Sequence, residues 1–215
     1  MTDPARKRRY HSPSREHGAR ATRGRIREAA AERFVRHGYA RTSMSAVARD
    51  AGVSERTVFL VFPTKAALLA ECVRVAVRGA DGEVPLAARA DSQAILDAAP
   101  ELMLTRIAER SAALFARAAR LLAVGESAPG DDPALAAVRE HGRAATRADL
   151  LESARALERA GLLRPGLNVE RAAEAMYALV ADEQVYLRLV EHCGRPQEEY
   201  IALMARALAG VLTVP

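Results

Sequence analysis

An all-α fold is the expectation from three features of this 215-residue sequence. Alanine, the residue with the highest helix propensity, recurs throughout, while the strand-favouring aromatics make up only 4% of positions. Apolar residues return every three or four positions over long stretches, which is the period of a helix with one buried face. Half the residues are hydrophobic and 27% are charged, so the chain has enough apolar material for one sizeable core, or for a small domain joined to a larger one. The periodic segments add up to about nine or ten helices.

Several function classes are disfavoured at once. No apolar run reaches the roughly 20 residues that span a bilayer, and the N-terminus lacks the apolar stretch of a secretory signal, so no membrane partner and a cytoplasmic location are expected. Cys72 and Cys193 stand far apart, outside any CxxC or Cys/His spacing, which points to reduced thiols and not to a disulfide framework or zinc site. The charge is unevenly placed. Residues 1–80 carry 17 Lys and Arg against 7 Asp and Glu, a net of +10, while residues 81–215 carry 15 against 20, a net of −5. A basic third suits a polyanion, because cations that neutralise phosphates release condensed counterions; a solvated basic face would look the same by charge alone.

Taken in order, residues 1–20 contain Arg6-Lys7-Arg8-Arg9 and no hydrophobic period, and read as a disordered basic arm. From Thr22, the residues Ile26, Ala29, Ala30, Phe34 and His37 share one helix face, and Gly38 ends that helix. Thr42 and Ser43 are N-cap candidates for a brief second helix with Met44, Val47, Ala48 and Ala51 inward. Gly52 supplies a left-handed turn, and Ser54 caps a third helix from Glu55 to about Leu60. Two short helices across a tight glycine turn make a helix-turn-helix. After Pro63, Thr64 caps a fourth helix from Lys65 toward Gly79, with Leu68, Leu69, Cys72, Val73 and Ala76 on its buried side. Residues 21–79 therefore form one domain, with a boundary in the glycine- and proline-interrupted stretch that follows. Residues 80–215 form a second, helical domain: a short piece near Ser92–Ala98, one long helix or two from Pro100 to Val124, a helix opened by Asp132 and Pro133 and ended by Gly161, another from Asn168 to about His192, and a last one from Pro196.

The helix-turn-helix carries the functional expectation. Its second short helix enters the major groove, where Arg56 offers a bidentate fork to guanine, Glu55 accepts from cytosine, and Leu60 meets a thymine methyl. Thr42 and Ser43 offer hydroxyl and backbone N–H groups to phosphate, and Lys65 offers a point charge. Capping alone also explains Thr42, Ser43 and Ser54, and the helix macrodipole alone explains Glu55. The uninterrupted run from Gly38 to Lys65, GYARTSMSAVARDAGVSERTVFLVFPTK, resembles the DNA-binding signature of the tetracycline-repressor (TetR) family, closely over residues 22–75. The resemblance implies a homodimer with the last two helices of each subunit packed in a four-helix bundle, a ligand cavity in the C-terminal domain, and a fourth helix that transmits ligand binding to the DNA heads; the expected partner is a palindromic double-stranded DNA operator, and Ser54, Thr57 and Phe59 complete the expected DNA-facing set. Two departures stand out. Phe59 occupies a position where the family commonly has Tyr, which removes a phosphate hydrogen bond of about 1.5–3 kcal/mol, and Leu60 and Val61 make the adjoining readout apolar.

For the second domain, helix phase nominates Met103, Ile107, Phe115, Leu122, Leu150, Met176 and Tyr177 as ligand-lining, with Arg110, Arg147 or Asp182 to orient a small-molecule effector. Met176, Leu179, Leu187, Ile201, Met204, Leu208 and Val211 supply apolar surface for a two-fold interface, unless one subunit already satisfies them. No metal spacing, phosphate-binding glycine loop or placed nucleophile is evident, so neither a cofactor nor an enzymatic activity is expected. The expected function is that of a sequence-specific transcriptional regulator, a repressor released from DNA by its effector.

Overall fold

A computed structural model describes residues 13–79, 90–128 and 132–214. The described residues form ten helices and no strands: α1 (Pro13–Arg41), α2 (Met44–Asp50), α3 (Glu55–Val61), α4 (Lys65–Arg78), α5 (Ala90–Leu96), α6 (Pro100–Ser127), α7 (Pro133–Arg159), α8 (Val169–Val180), α9 (Glu183–Tyr186) and α10 (Gln197–Leu212). A π-helical turn, Leu187–His192, continues α9.

Local chemistry accounts for the N-terminal elements. Ile26, Ala30 and Phe34 line the buried face of α1, and Gly38, at φ 75°, breaks the helix in a conformation that a side chain would strain. Ser43 caps α2, Ser54 caps α3 and Thr64 caps α4, each accepting from the backbone N–H three residues on. Gly52, at φ 64°, turns the chain between α2 and α3 while Val53 N–H donates to the Ala48 carbonyl at 3.0 Å. Arg33 of α1 grips Asp50 of α2 with two bonds, the longer 3.0 Å, and Arg23 lies over the Phe62 ring at 4.5 Å while pairing with Glu71 of α4.

The C-terminal helices pack around Ile107, Phe115, Leu150, Leu157, Met176, Tyr200 and Leu208. Ser111 donates to the Val180 carbonyl at 2.8 Å, and its oxygen lies 3.2 Å from the Tyr200 hydroxyl, so polar atoms in this core are paired. The two cores touch. Leu121, Ala128 and Leu135 belong to the N-terminal core, and Leu122 packs against both.

The structure departs from the sequence expectations at several points. Residues 13–20 are helical, the first turns of α1, whereas the rest of the expected arm and residues 80–89, where the domain boundary was placed, lie outside the described residues. Gly125 does not end α6, because the helix runs on to Ser127 with Val73 3.7 Å from the position of a Cβ. The helix expected from Asn168 to His192 stops at Val180, because Asp182 caps the Gln184 N–H at 2.7 Å and starts a new element; its side chain satisfies locally the donor that a continuous helix would have bonded through its backbone.

Candidate nucleic-acid interface and internal cavity

The surface of α3 is built in two layers. Val58 and Phe62 are buried beneath it, holding the rod on α2 and on the core shared by α1 and α4. Above them Glu55 and Arg56 are exposed, Phe59 is 45% exposed and Leu60 is 76% exposed. Isolated apolar exposure of this size on a rigid seven-residue helix has no packing role within the chain. Arg56 has no hydrogen-bond or ion-pair partner among the described residues, so its guanidinium fork is available. Ser54 Oγ accepts from Thr57 N–H at 3.1 Å and lies 2.8 Å from Thr57 Oγ1, so both side chains lock the first turn. Ser43 is exposed and caps α2, leaving that helix start open to an anion.

A second feature lies within the C-terminal helices. A partly open cavity of about 400 Å³ runs between α6 and α7 and is bordered by α8 and α9. Ile107, Leu114, Phe115, Leu122, Leu150 and Val180 make it mostly apolar, and Val77, in the last turn of α4, reaches its wall. Polar bridges span it at two levels. At one, Arg110 pairs with Asp149, and Ser92 of α5 donates to Asp149 at 2.9 Å while accepting from Arg110 at 3.1 Å. At the other, Arg143 pairs with Glu126 at 3.2 Å, and Arg139 donates to the Gly125 carbonyl at 2.9 Å. Arg117 bonds the carbonyls of Ala76 and Val77 at 3.1 and 3.2 Å, closing the end of α4 onto α6. Burial pushes the Glu183 carboxyl above the usual carboxylate range, with Asp182 and Glu126 adding repulsion.

Residues 26–72, which contain the helix-turn-helix, match the family model of bacterial regulatory proteins, tetR family. The helix-turn-helix segment is of the tetR type. No curated protein sequence matches the chain. Solved structures with a similar fold include NalD, the secondary repressor of the MexAB-OprM multidrug efflux pump in Pseudomonas aeruginosa, at 22% identity and a TM-score of 0.67 over 92% of this chain and 98% of NalD. A protein from Saccharomonospora viridis, described as a transcriptional regulator in complex with choline, gives 18% identity and a TM-score of 0.71 over 90% and 98% of the two chains. The ketosteroid transcriptional regulator KstR2 of Mycobacterium tuberculosis gives 18% and 0.63 over 89% and 95%. At these identities the likeness establishes a shared fold.

Within the tetR domain, two residues singled out from sequence are placed differently from expectation. Thr42 is buried; its hydroxyl donates to the Gly38 carbonyl at 2.9 Å and its N–H to Tyr39 at 3.3 Å, so neither donor is left for phosphate. Lys65 is turned inward, donating to the Tyr39 carbonyl at 2.9 Å and lying 4.3 Å from the Tyr39 ring centre; its pKa is lowered by burial. Both side chains hold the end of α1 instead. Of the ligand candidates, Ile107, Arg110, Phe115, Leu122, Leu150 and Tyr177 line the cavity, as does Asp182. Met103 and Met176 are core residues, and Arg147 lies outside, stacked over the Tyr177 ring at 5.3 Å. Of the dimer candidates, Met176, Leu187, Met204 and Leu208 are buried inside the single chain, because α8, α9 and α10 wrap one core; Leu179, Ile201 and Val211 keep partial exposure. Arg139, Arg143, Gly142, Thr146, Asp149 and Glu183 were missed. For the five on α7 the only sequence signal was polar or small residues on one face of that helix, which also describes a solvent-facing side, and Glu183, at the start of α9, carried none.

Proposed function

We propose that this protein is a homodimeric, sequence-specific DNA-binding regulator, a repressor released from a palindromic operator by a small molecule held between α6 and α7. The observation that carries the proposal is the free outer face of α3, where Arg56, Phe59 and Leu60 project from a buried base. Phosphates are met by Ser43 and the α2 N-terminus, with Glu55 and Thr57 framing the base-reading turn. Leu179, Ile201 and Val211, with exposed Leu203, offer the apolar strip on which a second copy packs. Val77 and Arg117 support coupling, since each links the cavity wall to the end of the helix that leaves the tetR domain. An effector that favours one tilt of α4 over another then changes the spacing of the two heads, and DNA affinity follows by population shift. Among the described residues no helix is long and apolar enough to cross a membrane.

Selection of bound duplexes from a random pool tests the proposal. A palindrome whose half-sites lie roughly 34 Å apart is expected. Recovery without sequence preference would defeat it.

A further inference from the structure

The charged groups around the cavity are unequally committed. Arg110 is held by Asp149 and Ser92, Arg117 by three backbone carbonyls, Arg139 by the Gly125 carbonyl, and Arg143 by Glu126. Each guanidinium thus has at least one acceptor in the protein. On the acidic side, Asp149 and Glu126 are the partners in two of those pairs, and Asp182 caps α9. Glu183 is different: it is half-buried, it lines the cavity, and no cationic side chain pairs with it among the described residues. A carboxylate withdrawn from water without a counter-charge is costly, and that cost is relieved by any cation able to reach it. The neighbouring walls suit the rest of such a molecule. Phe115 and Tyr177 contribute rings to the lining, with one face of Tyr177 already covered by Arg147. Gly142 faces open space, with nothing within 4 Å of an added Cβ, and Thr146 is the next residue up the same face of α7. The eleven residues from Arg139 to Asp149 span ten helical rises, about 15 Å of slot at 1.5 Å per rise.

We infer that the cavity takes an elongated amphipathic organic cation, an amine or quaternary ammonium whose charged head pairs with Glu183 and whose apolar body lies along Gly142, Thr146, Leu122 and Phe115. This assignment of ligand class rests on the effector role proposed above. The test uses two probes with the same alkyl chain and opposite heads, decyltrimethylammonium and decanoate, titrated calorimetrically below their micellar concentrations into the full chain. The cation is expected to bind at least about tenfold more tightly than the anion, and Glu183→Gln to remove about tenfold of that affinity while leaving decanoate unchanged. Gly142→Leu, which fills empty space, is expected to abolish cation binding with the helical signal and melting temperature retained; Thr146→Leu provides a second occluding variant. Preference for decanoate, or cation binding indifferent to Glu183→Gln, overturns the assignment while a Gly142→Leu effect keeps the cavity as a ligand site. Binding of neither probe, or binding untouched by both occluding variants, overturns the assignment and removes the cavity from the effector role. Operator selection reports on the DNA half independently of these outcomes.

Discussion

At the residue scale, what decides a side chain's role here is whether its polar atoms are already spent. Arg56 and Lys65 are both cations of the tetR domain, yet only Arg56 is free; Lys65 is drawn down onto the Tyr39 carbonyl and ring. Arg56→Ala is expected to weaken binding to the selected operator by about 1–3 kcal/mol and to relax one base position, measured by anisotropy on matched and single-substituted duplexes. An equal loss on all duplexes would leave Arg56 a phosphate contact only. The cysteines differ in the same way. Cys72 is buried, with its thiol pushed up to about 12 by burial, whereas Cys193 is exposed. Since the thiolate is the reactive form, alkylation at neutral pH is expected to modify Cys193 quickly and Cys72 only after denaturation, as peptide mass spectrometry would resolve.

At the scale of the element, helix ends carry much of the specification. Asp132 accepts from the N–H groups of Ala134 and Leu135, at 2.9 and 3.4 Å, and Pro133 starts α7 with no N–H to satisfy. Asp132→Ala is expected to destabilise the fold by about 0.5–2 kcal/mol in urea titration, with Asp132→Asn close to neutral. Between α1 and α4, burial pushes the Glu71 carboxyl up, but the guanidinium groups of Arg74 and Arg23 outweigh this and hold it below its ordinary value. A carboxyl whose folded pKa is depressed stabilises the fold fully above its unfolded value, near 4.5, and loses that contribution as pH falls through the folded pKa. Thermal melts between neutral and acid pH are expected to show a steeper fall for the natural chain than for Glu71→Gln. Arg117 closes the last turn of α4, so Arg117→Ala is expected to speed amide exchange there while leaving the start of α4 protected.

At the scale of the whole molecule, the two cores share a boundary at Leu121, Leu122 and Leu135, so α6 and α7 bear on the helix-turn-helix domain and the cavity together. The helices, the glycine turns and the capped recognition rod were legible in the chain because their causes lie within three or four residues: Ser54 reaches the Thr57 N–H, and Ile26, Ala30 and Phe34 recur on one face. Helix phase likewise set Ile107, Phe115, Leu122 and Leu150 on inward faces, where they line the cavity. Phase does not say what covers an inward face. The stripe through Met204 and Leu208 reads alike whether a second copy or the same chain buries it, and the chain's own α6 and α8 do. Pairing across the slot was equally hidden, because Arg110 meets Asp149 and Glu126 meets Arg143 only once α6 and α7 lie side by side. Local sequence alone thus determined most of the helices, with the capped starts of α2, α3 and α4. Long-range packing decided which cations are already neutralised, where space is left between helices, and that Glu183 faces that space without a counter-charge, because these depend on distances between residues far apart along the backbone.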